Sequence, residues 1–157
     1  MLQNNLPMAM QDLVIPHQQR RVLMVDAVDA APQSVLFLAH PHVHLATCNS
    51  SLDAMQHLNT HRKPDLLLVA SNLSGVPASW QMQLASPTSG FVVIDHLREM
   101  EGGIPDDIEQ GRTLVVLATD GAFNPVMHCA FVNRGIDATI VKPLTAAQVW
   151  AMCGLCW

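Results

Sequence analysis

Two short motifs in this chain carry side chains able to do chemistry. His40-Pro41-His42-Val43-His44 sets two imidazoles on one face of an extended segment at a spacing of two, a pattern that can chelate zinc or copper. A metal site also needs a third or fourth ligand and a second shell. The competing reading, a solvated edge-strand face carrying His40, His42 and His44, is preferred, and no metal is expected. Cys153-Gly154-Leu155-Cys156 is a C-x-x-C, but it lies at the end of the last expected helix rather than at the start of a helix that follows a strand. That context is wrong for a thioredoxin-like site, and packed thiols are the plainer reading of Cys153 and Cys156, with a redox or metal sensor as the alternative. No serine sits in a G-x-S-x-G elbow, no paired carboxylates stand out, and Gly102-Gly103 and Gly121 form no phosphate loop. No catalytic residue, no enzyme activity and no cofactor are therefore expected.

Composition narrows the remaining classes. At 157 residues, 50% hydrophobic and 13% charged, the chain is long and apolar enough to bury one core. A net charge of −5, with Arg20-Arg21 as the only basic cluster, gives nothing to neutralise phosphates, so no direct nucleic-acid partner is expected. No apolar run reaches the roughly 18 to 20 residues of a membrane span, and the start Met1-Leu2-Gln3-Asn4-Asn5 is polar. A cytoplasmic protein without membrane contact is expected. The four cysteines, Cys48, Cys129, Cys153 and Cys156, are too sparse for a disulfide scaffold and are read as reduced.

The elements that position these residues follow from periodicity. Residues 1–20 hold no sustained period and contain Pro7 and Pro16, so they read as an arm or short extra helix, with the domain proper over 21–157. Val22–Val25, ending in Asp26, and Asp65–Ala70 are unbroken apolar runs, the habit of parallel strands buried on both faces. His42–Cys48 alternates and suits an edge strand, Leu114–Ala118 gives a fourth strand and Ala138–Val141 a fifth. Helices are expected over Ala30–Ala39, after the caps Asn49 to Ser51 with Leu52, Met55 and Leu58 as the apolar stripe, and after Gly90 with Phe91, Ile94 and Leu97 inward. Another begins at Pro125 with Val126, Met127, Ala130 and Phe131 on its apolar side and Gly135 beyond its end, and Thr145 caps the last. Residues 74–88 read as an inserted loop with one helical turn. Alternating strands and helices imply an α/β fold, a single parallel sheet doubly wound by helices, with function at the C-terminal strand ends after Asp26, Ala70, Thr119 and Lys142.

From Arg21 onward, these strand ends resemble the receiver domains of two-component response regulators. Val22-Leu23-Met24-Val25-Asp26 is similar to that family's first strand and acidic end, Pro64–Val69 to the approach to its phosphoacceptor, and Gly90–Arg98 to its third helix. Val115–Thr119 resembles the fourth strand, and Gly135-Ile136-Asp137 followed by Lys142-Pro143 the close. The resemblance implies a five-stranded flavodoxin-like (βα)5 fold of strand order 2-1-3-4-5, with the insertion after the third strand. It also implies where function has been lost. Asp26 keeps one carboxylate of the magnesium pair while Ala27 replaces the other, and Ala70 falls on the phosphoacceptor aspartate. A methyl group can neither accept a phosphoryl group nor ligate Mg²⁺, which needs several oxygens. Thr119 and Lys142 match the family's hydroxyl and ammonium, and the aromatic switch position falls on Thr139. Two readings of the pocket follow: a residual anion or nucleotide site, or, preferred, Lys142 paired permanently with Asp26. Asp29 as a substitute ligand and Ser71 as a kinase target rest on proximity alone. The expected function is a phosphorylation-independent signalling module that binds a protein partner or a second copy of itself. Val149, Trp150, Met152 and Trp157 on the last helix are candidates for that interface, with Trp80 of the insertion as a second surface.

Overall fold

A computed structural model describes residues 20–27, 43–74, 76–102, 111–121 and 124–142, together with 148 and 151. Five parallel strands form one sheet: β1 (Arg20–Val25), β2 (Val43–Cys48), β3 (Leu66–Ala70), β4 (Leu114–Thr119) and β5 (Ala138–Val141). Their order is β2-β1-β3-β4-β5, so the two strands read as unbroken apolar runs, β1 and β3, lie inside the sheet. β1 begins at Arg20, the residue assigned from sequence to the end of the arm, because Arg20 pairs with Val43 in the ladder. The rest of the arm, the helix expected over 30–39, and His40 and His42 lie outside the described residues.

The strand period of two sorts the apolar side chains into two buried layers. Leu23, Val25, Leu67, Val69, Val115 and Leu117 face one side and pack with Phe91, Ile94, Leu97 and Phe131. Val22, Met24, Leu66, Leu68, Leu114 and Val116 face the other. Both faces are thus buried, which explains why these strands carry no alternation in sequence. β2, at the edge, is only partly buried, and its Val43 and Leu45 side with the second layer while the His44 side chain is exposed.

Four described helices complete the frame: α1 (Ser51–Thr60), α2 (Trp80–Ala85), α3 (Gly90–Met100) and α4 (Pro125–Asn133). Ser50 caps α1 by accepting the Asp53 N–H at 3.1 Å, and Asn124 caps α4 by accepting that of Met127 at 2.9 Å. Gly135 follows α4 at φ +86°, the left-handed conformation its position past the helix end requires. Phe91, Ile94 and Leu97 are buried as their spacing predicts. Leu52 and Val126 are not: they are 70% and 76% exposed. Steps of three residues lose about 60° each, so Leu52 is turned about 120° from Leu58, and the inward face of α1 is Ser51, Ala54 and Leu58. Val126 likewise lies off the face on which Phe131 is buried. The insertion holds the six-residue helix α2.

At the N-terminal ends of the strands, α3 is pinned by a buried ion network. Arg98, 3% exposed, donates through Nε and Nη2 to the Gly135 carbonyl at 3.1 and 2.6 Å, through Nη1 to the Thr113 carbonyl at 2.9 Å, and to Glu101 and Asp137. Glu101 also accepts from Lys63 at 2.7 Å and from the Thr113 N–H at 2.8 Å, while Asp137 accepts from Arg112 and from the Val115 N–H. Burial pushes the Glu101 carboxyl up, but these donors outweigh it and hold its pKa below the ordinary value. The network ties α3 to the starts of β4 and β5, at the end of the sheet away from the strand tips that carry Asp26 and Lys142.

Candidate functional site

At the C-terminal ends of the strands, the ladder register sets Asp26, Ala70, Thr119 and Lys142 at one rim. Val25 pairs with Val69, Ala70 with Ala118 and Thr119 with Val141, so Asp26 and Ala70 follow at one level while Thr119 and Lys142 stand one and two residues further along the same rim. Asp26 is 7% exposed and Ala70 2%. Lys142 reaches across the tips of β3 and β4 to Asp26, with Nζ 2.8 Å from Oδ1 and 2.7 Å from Oδ2. Oδ1 also accepts the Ala27 N–H at 2.7 Å, and the exposed Asp120 lies 3.8 Å from the same ammonium. Thr119 Oγ1 donates to the Gly121 carbonyl at 2.9 Å, and Lys142 N–H to the Thr119 carbonyl at 2.8 Å. Both oxygens of the buried Asp26 carboxylate are thus committed.

The floor of this rim is set by close packing. Gly90, the first residue of α3, donates its N–H to the Ser71 carbonyl at 3.0 Å, and its Cα rests on the Ala70 carbonyl. A side chain at position 90 would meet the Ala70 carbonyl oxygen first, and Ala70 C and Val69 Cγ2 at 2.9 Å. Ser71 is 1% exposed and its hydroxyl has no partner among the described residues, so a kinase cannot reach it without opening this junction.

Likeness to known proteins lies in the fold. No protein-family model matches the chain, and no curated protein matches it. Among solved structures, it is similar to the signal receiver domain of a LuxO repressor protein from Vibrio parahaemolyticus, with 18% identity, a TM-score of 0.62, and 88% of this chain and 89% of that one covered. The CheY-like receiver domain of Methanospirillum hungatei matches at 14% identity and TM-score 0.62, over 88% and 93%. The chain has the receiver fold. A third solved receiver, from a sensor histidine kinase of Pseudomonas aeruginosa, holds a magnesium ion in its active-site cleft and matches at 13% identity and TM-score 0.57, over 85% and 93%.

The rim of this receiver fold does not suit such an ion. Mg²⁺ demands near-octahedral oxygen ligation. Ala27 and Ala70 offer no side-chain oxygen, and the Asp26 carboxylate already receives an ammonium and an N–H. Among the described residues no group of three or more His, Cys, Asp or Glu side chains could hold a metal. Thr139 pairs with Leu117 on β5 and is half-buried. Val149, Trp150, Met152, Trp157, Cys153 and Cys156 lie outside the described residues. Trp80, a candidate for a docking surface, is half-buried, and its ring packs against the core with its centroid 5.5 Å from that of Phe131. Among the described residues of the insertion, the exposed large apolar side chains are Val76 and Met82.

Arg98 belongs to no chemical motif in the sequence, yet a signal of its burial is there: it stands seven residues after Phe91 and four after Ile94, on the buried stripe of α3. The thiols differ in the same readable way. Burial, and the Asp53 carboxylate beside it, push the Cys48 thiol up, whereas Cys129 is exposed. Iodoacetamide at neutral pH is expected to label Cys129 at least about tenfold faster than Cys48, measured by peptide mass mapping. Equal rates would mean that the β2 edge opens readily.

Proposed function

We propose that this chain is a phosphorylation-independent receiver-like module of bacterial signal transduction or transcription control. It acts in the cytoplasm by binding a protein partner or a second copy of itself, and not by catalysis. The observation that carries the reading is the methyl group of Ala70 at the strand tip where the resembled family places its phosphoacceptor. The Lys142–Asp26 pair supports it, because the ammonium that would report a phosphoryl group already has a carboxylate. No described helix is long and apolar enough to cross a membrane. A small anion or nucleotide at this rim, the alternative reading, would first have to draw Lys142 from Asp26.

Beryllofluoride with Mg²⁺, added to the purified chain under amide NMR, tests the reading. No change in shifts at Asp26, Ala70, Thr119 and Lys142 is expected. Saturable shifts clustered there would sink the inert-rim reading and favour a ligand site. Sedimentation of the same sample reports whether the partner is a second copy, with the last helix the expected contact through Val149, Trp150, Met152 and Trp157.

A further inference from the structure

The last turn of α1 carries two histidines that neither the core nor the strand-tip rim uses. His57 and His61 stand four residues apart, the spacing that sets side chains about 5–6 Å apart on one helix face. His61 caps the helix, and its N–H still donates to the His57 carbonyl at 2.9 Å, so the helical placement holds through the cap. The two rings are stacked, with centroids 4.1 Å apart and planes 7° from parallel. His61 is exposed and His57 half-buried.

Hydrogen bonding decides which ring nitrogen of His61 is free. The Thr60 hydroxyl donates its one proton to the Gln56 carbonyl at 2.9 Å, so its oxygen, 2.9 Å from His61 Nδ1, accepts from that nitrogen. The His57 carbonyl lies 3.3 Å from the same nitrogen. In the neutral ring Nδ1 therefore carries the proton, and Nε2 presents a lone pair. A hydroxyl or carbonyl holding the far nitrogen is the usual support of an imidazole that ligates a metal. Burial lowers the His57 pKa, and the neighbouring His61, Arg21 and His44 lower it further, so this ring is neutral at neutral pH. Two nitrogens bound to one ion stand about 3 Å apart. That is somewhat less than the stacked spacing, and rotation about the side-chain bonds closes it.

We propose that His57 and His61 chelate one late first-row divalent ion, Cu²⁺ foremost, with water completing its shell. Imidazole suits such ions, copper stands highest in the divalent affinity order, and a tetragonal shell accepts two adjacent nitrogens beside water. Two protein ligands are fewer than a structural zinc site requires, and Arg21 adds a like charge nearby, so the ion is held reversibly and the fold does not depend on it. The site lies at the end of the sheet where Arg21 of β1 pairs with His44 of β2, away from the Asp26–Lys142 rim, and does not depend on how that rim is read.

Cu²⁺ titrated into the whole chain at neutral pH, under amide NMR, is the test, because the paramagnetic ion erases signals close to it. Low Cu²⁺ is expected to erase His57, Thr60, His61 and Arg62 while the amides of β4 stay visible. His61→Gln, at an exposed position beyond the helix, is expected to raise the Cu²⁺ concentration needed at least about tenfold, since a single imidazole lacks the effective concentration supplied by the second. His57→Gln is expected to do the same. Signals at these residues that persist while others are erased, or that are lost as readily in His61→Gln, would overturn the proposal. The His61→Gln comparison decides the matter whether or not His57→Gln folds.

Discussion

Gly90→Ala is expected to destabilise the fold by about 2–3 kcal/mol, a large share of the roughly 5–15 kcal/mol that holds a domain of ordinary stability. The change looks favourable from the sequence, since alanine is better than glycine inside a helix by about 1 kcal/mol. Geometry reverses the sign. The added methyl overlaps the Ala70 carbonyl oxygen and approaches Ala70 C and Val69 Cγ2 at 2.9 Å. The main obstacle is backbone of a central strand, which cannot rotate aside as a side chain could. Relief requires α3 to lift from β3, breaking the Gly90 N–H bond to the Ser71 carbonyl and loosening Phe91, Ile94 and Leu97. Gly121→Ala is the control: a methyl there meets nothing within 4 Å. Urea unfolding of both variants decides the matter. A Gly90→Ala midpoint equal to that of Gly121→Ala would show that the contact relaxes at no cost.

Arg98→Met is expected to cost more, about 3–5 kcal/mol, because it removes one partner from a buried ionic cluster and strands the others. The methionine keeps the bulk of the side chain but leaves the Gly135 and Thr113 carbonyls without their guanidinium donors. Glu101 and Asp137 keep Lys63 and Arg112 and lose the charge between them. The contrast is Arg134→Met. Arg134 pairs with Asp95 of α3 at 2.8 Å, with side chains 30% and 49% exposed, and lies over the Phe91 ring at 5.1 Å. An exposed pair of that kind contributes about 0–1 kcal/mol. Thermal and urea unfolding of the two variants should therefore separate them clearly. Losses within about 1 kcal/mol of each other would mean that the Arg98 network is no more than a surface decoration.

What could be read from the sequence followed burial. Val22–Val25 and Leu66–Val69 announce central parallel strands because both of their faces must be apolar, and once those strands are placed their ends fix Asp26, Ala70, Thr119 and Lys142 at one rim. The helix faces were less legible. Leu52 and Val126 are apolar residues on the wrong side, and only the position of the sheet shows that Ser51 and Ala54 point inward. Arg98 escaped because its partners, Gly135, Thr113 and Asp137, come from segments 15 to 39 residues away. The inward packing of the insertion escaped for another reason: Trp80 rests against Phe131, whereas composition alone shows only a loop rich in Ser, Pro and Gly.

The clasp between Lys142 and Asp26 has a bearing on folding kinetics. Its partners are 116 residues apart in the chain, and β3 and β4 stand between β1 and β5 in the sheet. The native bond needs all four of those strands aligned, so it is expected to form in the last stage of assembly, and Lys142→Met is expected to speed unfolding while leaving the refolding rate unchanged in stopped-flow kinetics. A contact absent from the transition state leaves the folding rate almost untouched and acts on the rate of opening. The charge pair at this rim therefore works as a latch: the sheet closes at a speed set by its apolar strands, and the latch governs how long it stays closed.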